Sequence, residues 1–173
     1  VCDGAFFRDE DLLVVGGGDS AVEEAIFLTR FAKSVTIVHR RDELRAQKVL
    51  QDRAFANEKI RFVWDSVVES IHGDERKVTG VTFKNVKTGE TSRADFGGIF
   101  IYVGLDPVSE FAKGLGITDE AGWILTDHQM KTSVAGIYAV GDVRQKDLRQ
   151  ITTAVGDGAI ASQEAYKYLT EQA

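Results

Sequence analysis

Two arginines and a histidine stand together at His39-Arg40-Arg41, and Arg45 follows one helical turn beyond Arg41. Clustered guanidinium groups suit a phosphate dianion, because each presents a planar fork of N–H donors and a charge that does not titrate. The residues upstream say which phosphate. Asp11-Leu12-Leu13-Val14-Val15 runs straight into Gly16-Gly17-Gly18-Asp19-Ser20-Ala21. Gly16, Gly18 and Ala21 form G-x-G-x-x-A, the dinucleotide fingerprint, in its strand–turn–helix setting. The first glycine permits a sharp turn, the second lets a pyrophosphate approach the backbone, and Ala21 lets helix and strand pack closely. Asp19 and Ser20 open the helix, whose free N–H groups and positive dipole end offer themselves to phosphates. Ser20 carries a second reading, since Ser20-Ala21-Val22-Glu23 has the form of a capping box. A NAD site usually places an acidic residue about 20 positions after the turn, on the ribose 2′-hydroxyl. Here that place holds His39, Arg40 and Arg41, so NADPH is the expected dinucleotide; the competing reading is a solvated basic strand end.

These residues need a scaffold, and the pattern supplies one. Four apolar residues before the glycines read as a buried strand, and Ala21, Ala25 and Leu28 recur at helical spacing over about Ser20 to Phe31. A second strand at Ser34–Val38, a helix over Glu43–Ala56 and a third strand at Ile60–Trp64 complete β-α-β-α-β, which implies a parallel sheet. Ser66–Ile71, Lys77–Asn85 and Glu90–Asp95 are short runs separated by turn residues, expected as an antiparallel meander inserted as a crossover. Gly98–Gly104 returns to an apolar run, expected as another central strand. Pro107, the only proline, marks a sharp exit, and a domain boundary is expected there, dividing 1–104 from 105–173. Beyond it, Trp123–Thr126 and Ile137–Val140 read as strands, the latter buried and stopping at Gly141-Asp142. Thr152–Leu169 reads as a long helix whose first half is rich in Ala and Gly, so another backbone or a ligand must come close.

Composition narrows the class. The chain has 173 residues, is 43% hydrophobic and 28% charged, and carries a net charge of −6, which argues against a nucleic-acid partner. No apolar stretch is long enough to span a membrane, and a cytoplasmic protein is expected. One cysteine excludes an internal disulfide framework, and the histidines lack metal-ligand spacing, so no metal is expected.

Cys2-Asp3-Gly4-Ala5-Phe6-Phe7, Gly16–Glu24, His39-Arg40-Arg41, Gly141-Asp142-Val143 and Arg149-Gln150-Ile151 occur in that order. Together they resemble the low-molecular-weight thioredoxin reductase family of bacteria over essentially the whole chain. The resemblance implies α/β architecture: a Rossmann-like NADPH domain (parallel sheet with antiparallel meander crossover) plus part of a second, FAD-binding α/β domain. It implies an NADPH-dependent flavoprotein disulfide reductase. Hydride passes from NADPH to FAD, the reduced flavin opens a C-x-x-C disulfide, and the dithiol reduces thioredoxin by thiolate attack through a mixed disulfide. Cys2 then corresponds to the flavin-proximal cysteine and Asp3 to a proton donor or acceptor, although Asp3 also reads as a turn residue. Val103 and Gly104 would line the nicotinamide side of the NADPH site. Gly141, Asp142, Arg149, Gln150 and Ile151 would contact FAD, with the following helix aiming its positive end at the flavin.

Family members work as homodimers, and a homodimer is the natural expectation for the complete protein. The first redox cysteine would lie two residues before Val1, and the N-terminal half of the FAD domain has no counterpart. The resemblance therefore implies a fragment, and the isolated chain is expected to bind NADPH without turnover. Among related architectures, ferredoxin–NADP reductase-like proteins lack the redox pair, against which Cys2 stands. Peroxide-reductase flavoproteins are expected to carry an acidic residue where Arg40 and Arg41 stand.

Overall fold

A computed structural model describes residues 3–171. The chain divides into two compact units, Val1–Gly104 and Leu105–Ala173.

The first unit opens with a 3-10 turn at Gly4–Phe6 and then builds β1 (Asp11–Val15), α1 (Asp19–Leu28), β2 (Ser34–Val38), α2 (Lys48–Phe55) and β3 (Ile60–Val63). The meander follows as β4 (Ser66–Gly73), β5 (Val78–Asn85) and β6 (Thr91–Asp95), and β7 (Gly98–Ile101) returns to the first sheet. That sheet has the order β3-β2-β1-β7, with every pair parallel. The meander forms a separate antiparallel sheet, β4-β5-β6.

Successive strand residues face opposite sides, and β1 shows what this achieves. Leu12 and Val14 join Val35 and Ile37 under the helix residues Val22, Ala25 and Leu28. Leu13 and Val38 on the other face meet Val81, Phe83 and Phe96 of the meander region. One sheet is thus covered by helices on one side and by a second sheet on the other. This explains why β1 is apolar without alternation from Leu12 to Val15, and why all five residues of β2 are buried, Ser34 and Thr36 included.

Three boundaries differ from the sequence expectation. The helix expected from Glu43 begins only at Lys48, because Arg45 and Ala46 donate their N–H groups to the Gly17 carbonyl at 2.7 and 3.2 Å. The glycine turn thus claims amides that a helix would have used. The first helix ends at Leu28, where the Lys59 ammonium donates to the Thr29 and Ala32 carbonyls. The strand expected to be central, β7, pairs with β1 alone among the described residues and ends at Ile101.

The second unit contains a 3-10 stretch at Glu110–Leu115, a 3-10 turn at Gly141–Val143 and α3 (Ile151–Glu171). Its core is small, made of Ala112, Ile117, Ile124 and Ala139 with Val134, Ile137 and Val143 packed on it. The two expected strands are replaced by isolated bridges: Ile124 pairs singly with Thr118 and with Arg144, and Tyr138 with Lys131. An apolar run makes a strand only beside a ladder partner, and among the described residues Ile137–Val140 has just that single bridge. Polar contacts hold this unit instead. Asp157 on α3 accepts from the Gly141 N–H at 3.0 Å and pairs with Arg144 and Lys146, each at 2.9 Å. Glu164 pairs with Lys131 and Lys167, and the Tyr138 hydroxyl donates to its carbonyl.

Candidate functional site

In the first unit the chain runs from β1 to β3 on one side of the sheet and returns to β7 on the other. The strand order therefore reverses between β1 and β7, and the carboxyl ends of these strands leave a crevice there. A cleft of 460 Å³ occupies it, lined by Gly16, Gly17, His39, Arg40, Arg45, Tyr102 and Val103 with apolar residues of β4 and β7.

Each residue of the turn has a distinct reason to be there. Gly16 has φ +145°, and a β-carbon on it would run into the Tyr102 carbonyl and lie 2.9 Å from the Ala21 β-carbon. Gly17 has the His39 ring against it, where a β-carbon would lie 2.5–2.6 Å from ring atoms. Gly18 is different. Its φ of −91° suits any residue, and a β-carbon there would meet nothing within 4 Å. The protein itself does not require glycine at this position, whereas a phosphate drawn against the backbone would.

Gly18 is also the residue that precedes α1, so the capping-box reading of Ser20 is corrected: Ser20 lies inside the helix, exposed, and no side chain caps the helix start. The first-turn N–H groups are left for a ligand or solvent.

His39 is 5% exposed, its N–H donates to the Val63 carbonyl, and its carbonyl accepts from the Ser66 N–H. Burial, and then the nearby Arg45, Arg41 and Arg40 charges, hold its pKa below the usual value, so the imidazole is neutral near pH 7. Its Nε2 is buried without a hydrogen-bond partner. Arg40, Arg41 and Arg45 are all exposed, and none of them is paired with a carboxylate among the described residues. Asp42 follows Arg41 in the sequence and the Asp65 N–H donates to the Arg41 carbonyl, yet both carboxylates are engaged elsewhere: Lys87 binds them at 2.9 Å each. Those contacts hold the Asp42 carboxyl below the usual carboxylate range and raise the Lys87 ammonium. Three uncompensated guanidinium groups on a chain of net charge −6 form a local anion site.

Asp19, expected at the ligand, accepts with its carboxylate from the Gln47 N–H at 2.7 Å and the Gln47 side-chain amide at 3.1 Å. Ala21 is buried beneath the turn, and Val103 and Gly104 are exposed just past β7, Gly104 with φ +115°. Asp3 is exposed before the 3-10 turn, its carbonyl accepting from the Phe6 N–H. Cys2 lies outside the described residues. Sequence reasoning missed Tyr102, whose N–H donates to the Val15 carbonyl at 2.8 Å, and Ser66 at the head of β4. Both directly follow a strand of the parallel sheet or its connection, a position that the strand-end rule could have flagged.

In the second unit Gly141 has φ +77° and Asp142 is exposed. Arg149 lies 3.8 Å above the Trp123 ring and donates to the Asp142 and Arg144 carbonyls at 3.2 and 3.3 Å. Asp106, Pro107, Val108, Trp123, Asp142 and Arg149 line a 290 Å³ groove, while Gln150 and Ile151 are exposed at the start of α3. The Arg149 charge thus organises this segment from within. Among the described residues no group of three or more His, Cys, Asp or Glu is placed to hold a metal ion. No helix there is long and apolar enough to cross a membrane.

A parallel nucleotide-type sheet with a glycine turn and a basic strand end has the form of a dinucleotide-binding module. Residues 3–158 match the pyridine nucleotide-disulphide oxidoreductase family, and the chain belongs to it. Its relatives are thioredoxin reductases. It is 58% identical to that of Listeria monocytogenes over 99% of this chain and 54% of the relative, and 56% identical to that of Bacillus subtilis over the same shares. Among solved structures, the thioredoxin reductase from Streptococcus pyogenes superposes with a TM-score of 0.89 at 69% identity, over 98% of this chain and 55% of that one. The chain spans about half the length of the curated relatives it matches.

Proposed function

We propose that the first unit binds NADPH and that the chain serves as the pyridine-nucleotide half of a thioredoxin reductase. The observation that carries this reading is the trio Arg40, Arg41 and Arg45, free of carboxylate partners beside a glycine turn with room at Gly18. When bound, NADPH would supply a hydride and FAD a two-electron carrier; the protein's share would be binding and orientation. Gly16, Gly18 and the first turn of α1 hold the pyrophosphate, with Ser20 within that turn. Arg40, Arg41 and Arg45 take the 2′-phosphate. Neutral His39 keeps the strand end compact without adding a charge that would need burial. Val103 and Gly104 lie at the end of β7, where the nicotinamide would be received.

In the second unit, Gly141, Asp142 and the Arg149-Gln150-Ile151 segment would contribute to an FAD site. Asp142 suits a ribityl hydroxyl better than a phosphate, which its charge would repel. Cys2 and Asp3 would serve the disulfide chemistry, with thioredoxin as the partner of a cytoplasmic, homodimeric whole protein; the support is the likeness to the relatives. The 173 residues alone are assigned nucleotide binding without turnover, because Cys2 is the sole thiol and one thiol cannot close an intramolecular disulfide.

Fluorescence titration with both coenzymes tests the central reading. Arg40→Ala combined with Arg41→Ala should weaken NADPH at least tenfold more than NADH, on the order of 1.5–3 kcal/mol for lost charge-assisted bonds. Equal weakening of the two would refute it.

A further inference from the structure

The N–H groups of Arg45, Ala46 and Gln47 all point back at the glycine turn. The first two donate to the Gly17 carbonyl and the third to the Asp19 carboxylate, so the segment carrying Arg45 is tied to the phosphate-binding turn at three successive positions. Two of these ties are main chain to main chain. Only the third depends on a side chain, and Asp19 makes it with both oxygens: Oδ1 to the Gln47 N–H and Oδ2 to its amide nitrogen. Gln47 is the residue from which α2 departs, and no side chain of its own helix caps that start. Asp19, 28 residues away, thus plays the reach-back part that a local acid plays in a capping box. From the far side, Asp65 N–H donates to the Arg41 carbonyl and Ser66 N–H to the His39 carbonyl. The Gln51 side-chain amide of α2 donates to the Leu44 and Ala46 carbonyls at 3.3 and 2.7 Å, so the Arg45 end is braced from its own helix, and Asp19 is the side chain that ties it to the glycine turn.

A carboxylate in the first turn suits the helix dipole, but it repels a phosphate held at the same turn. Directed at Gln47, it has a different use. We infer that Asp19 is a positioning residue: it sets the spacing between the glycine turn and the arginine loop, and thereby the preference for a 2′-phosphorylated adenosine. The inference rests on the coenzyme reading above and assigns Asp19 a place in it that is not ligand contact.

The test uses the 173-residue chain, calorimetric titration with adenosine 2′,5′-bisphosphate and with AMP, and amide hydrogen exchange. The unsubstituted chain should prefer the bisphosphate. Asp19→Ala should weaken the bisphosphate about tenfold while leaving AMP within about twofold, and exchange at residues 45–47 should quicken. Asp19→Asn should restore most of the loss, since its amide oxygen still accepts from the Gln47 N–H. If Asp19→Ala fails to fold, Gln47→Leu removes the side-chain tie from the other end and should weaken the bisphosphate about two- to threefold, again with AMP unmoved. Equal losses for both ligands, tighter bisphosphate binding, or unchanged exchange at 45–47 would overturn the inference while the coenzyme reading stands. An unsubstituted chain that binds both nucleotides alike overturns the coenzyme reading, and this inference with it.

Discussion

The two units of this chain are held together by different physics. In the first, one parallel sheet is buried on both faces, and Leu12, Leu13, Val14, Val35 and Ile37 are wholly inaccessible. In the second, a core built on Ala112, Ile117, Ile124 and Ala139 is supplemented by carboxylates on α3 that gather Arg144, Lys146, Lys131 and Lys167. The second unit also leaves apolar side chains of α3 in solvent, with Ile151 84% and Val155 67% exposed. Apolar burial tolerates acid and salt, whereas charged networks depend on each partner keeping its ionisation. A site that must hold glycine turn and arginines in register therefore stands on the first kind of support.

The contrast can be broken most forcefully in the sheet. Leu12→Ala should cost about 3 kcal/mol, read from thermal unfolding of Trp64 fluorescence in a Trp123→Phe background. A loss below about 1 kcal/mol would show that the helix face of the sheet is not the principal support.

Next in size is Asp157→Ala, which strands Arg144 and Lys146 without their anion. Burial works against the Asp157 carboxyl, yet hydrogen bonds from Lys146, Arg144 and Gly141 hold it below the usual range. Its removal should cost on the order of 3 kcal/mol in the second unit, followed through Trp123 in a Trp64→Phe background. A variant as stable as the parent would reassign that unit's cohesion to its small core.

A smaller effect comes from His39. Its pKa is depressed in the fold, so acidification favours the unfolded chain, which binds the proton more readily. Stability of the first unit should be full above about pH 6.5 and decline as pH falls through and below that value. His39→Gln should flatten the decline measured by melting at pH 7.5 and 5.5. A first unit that melts higher at pH 5.5 would mean that the ring is charged in the fold.

Smallest of all, Ile151→Ser with Val155→Ser should change stability by no more than about 0.5 kcal/mol while lowering the binding of a hydrophobic dye. A larger loss would place these side chains in a packing role that their exposure does not suggest.

Much of the first unit was legible from residue order. An apolar run ending in glycines, a second β-rich run ending in basic residues and short alternating runs between turns are local signals, and each became the element expected. The second unit was less legible. Ile137–Val140 has a strand's composition, but a strand is completed by a neighbour, and one bridge at Tyr138 is all that the described residues provide. The helix expected from Glu43 starts late, at Lys48, for a related reason, since the amides of Arg45 and Ala46 were taken by a carbonyl 28 or more positions upstream.

Residue types and spacing alone determined the sheet's hydrophobic faces, the glycine turn and the basic strand end, because these depend on side-chain period and on the backbone freedom of single residues. Only the tertiary structure decided that Lys87 engages Asp42 and Asp65, that Asp19 faces Gln47, and that Arg149 lies on Trp123. Charges pair with whatever the fold brings within a few ångströms, and that proximity is set by how distant segments pack.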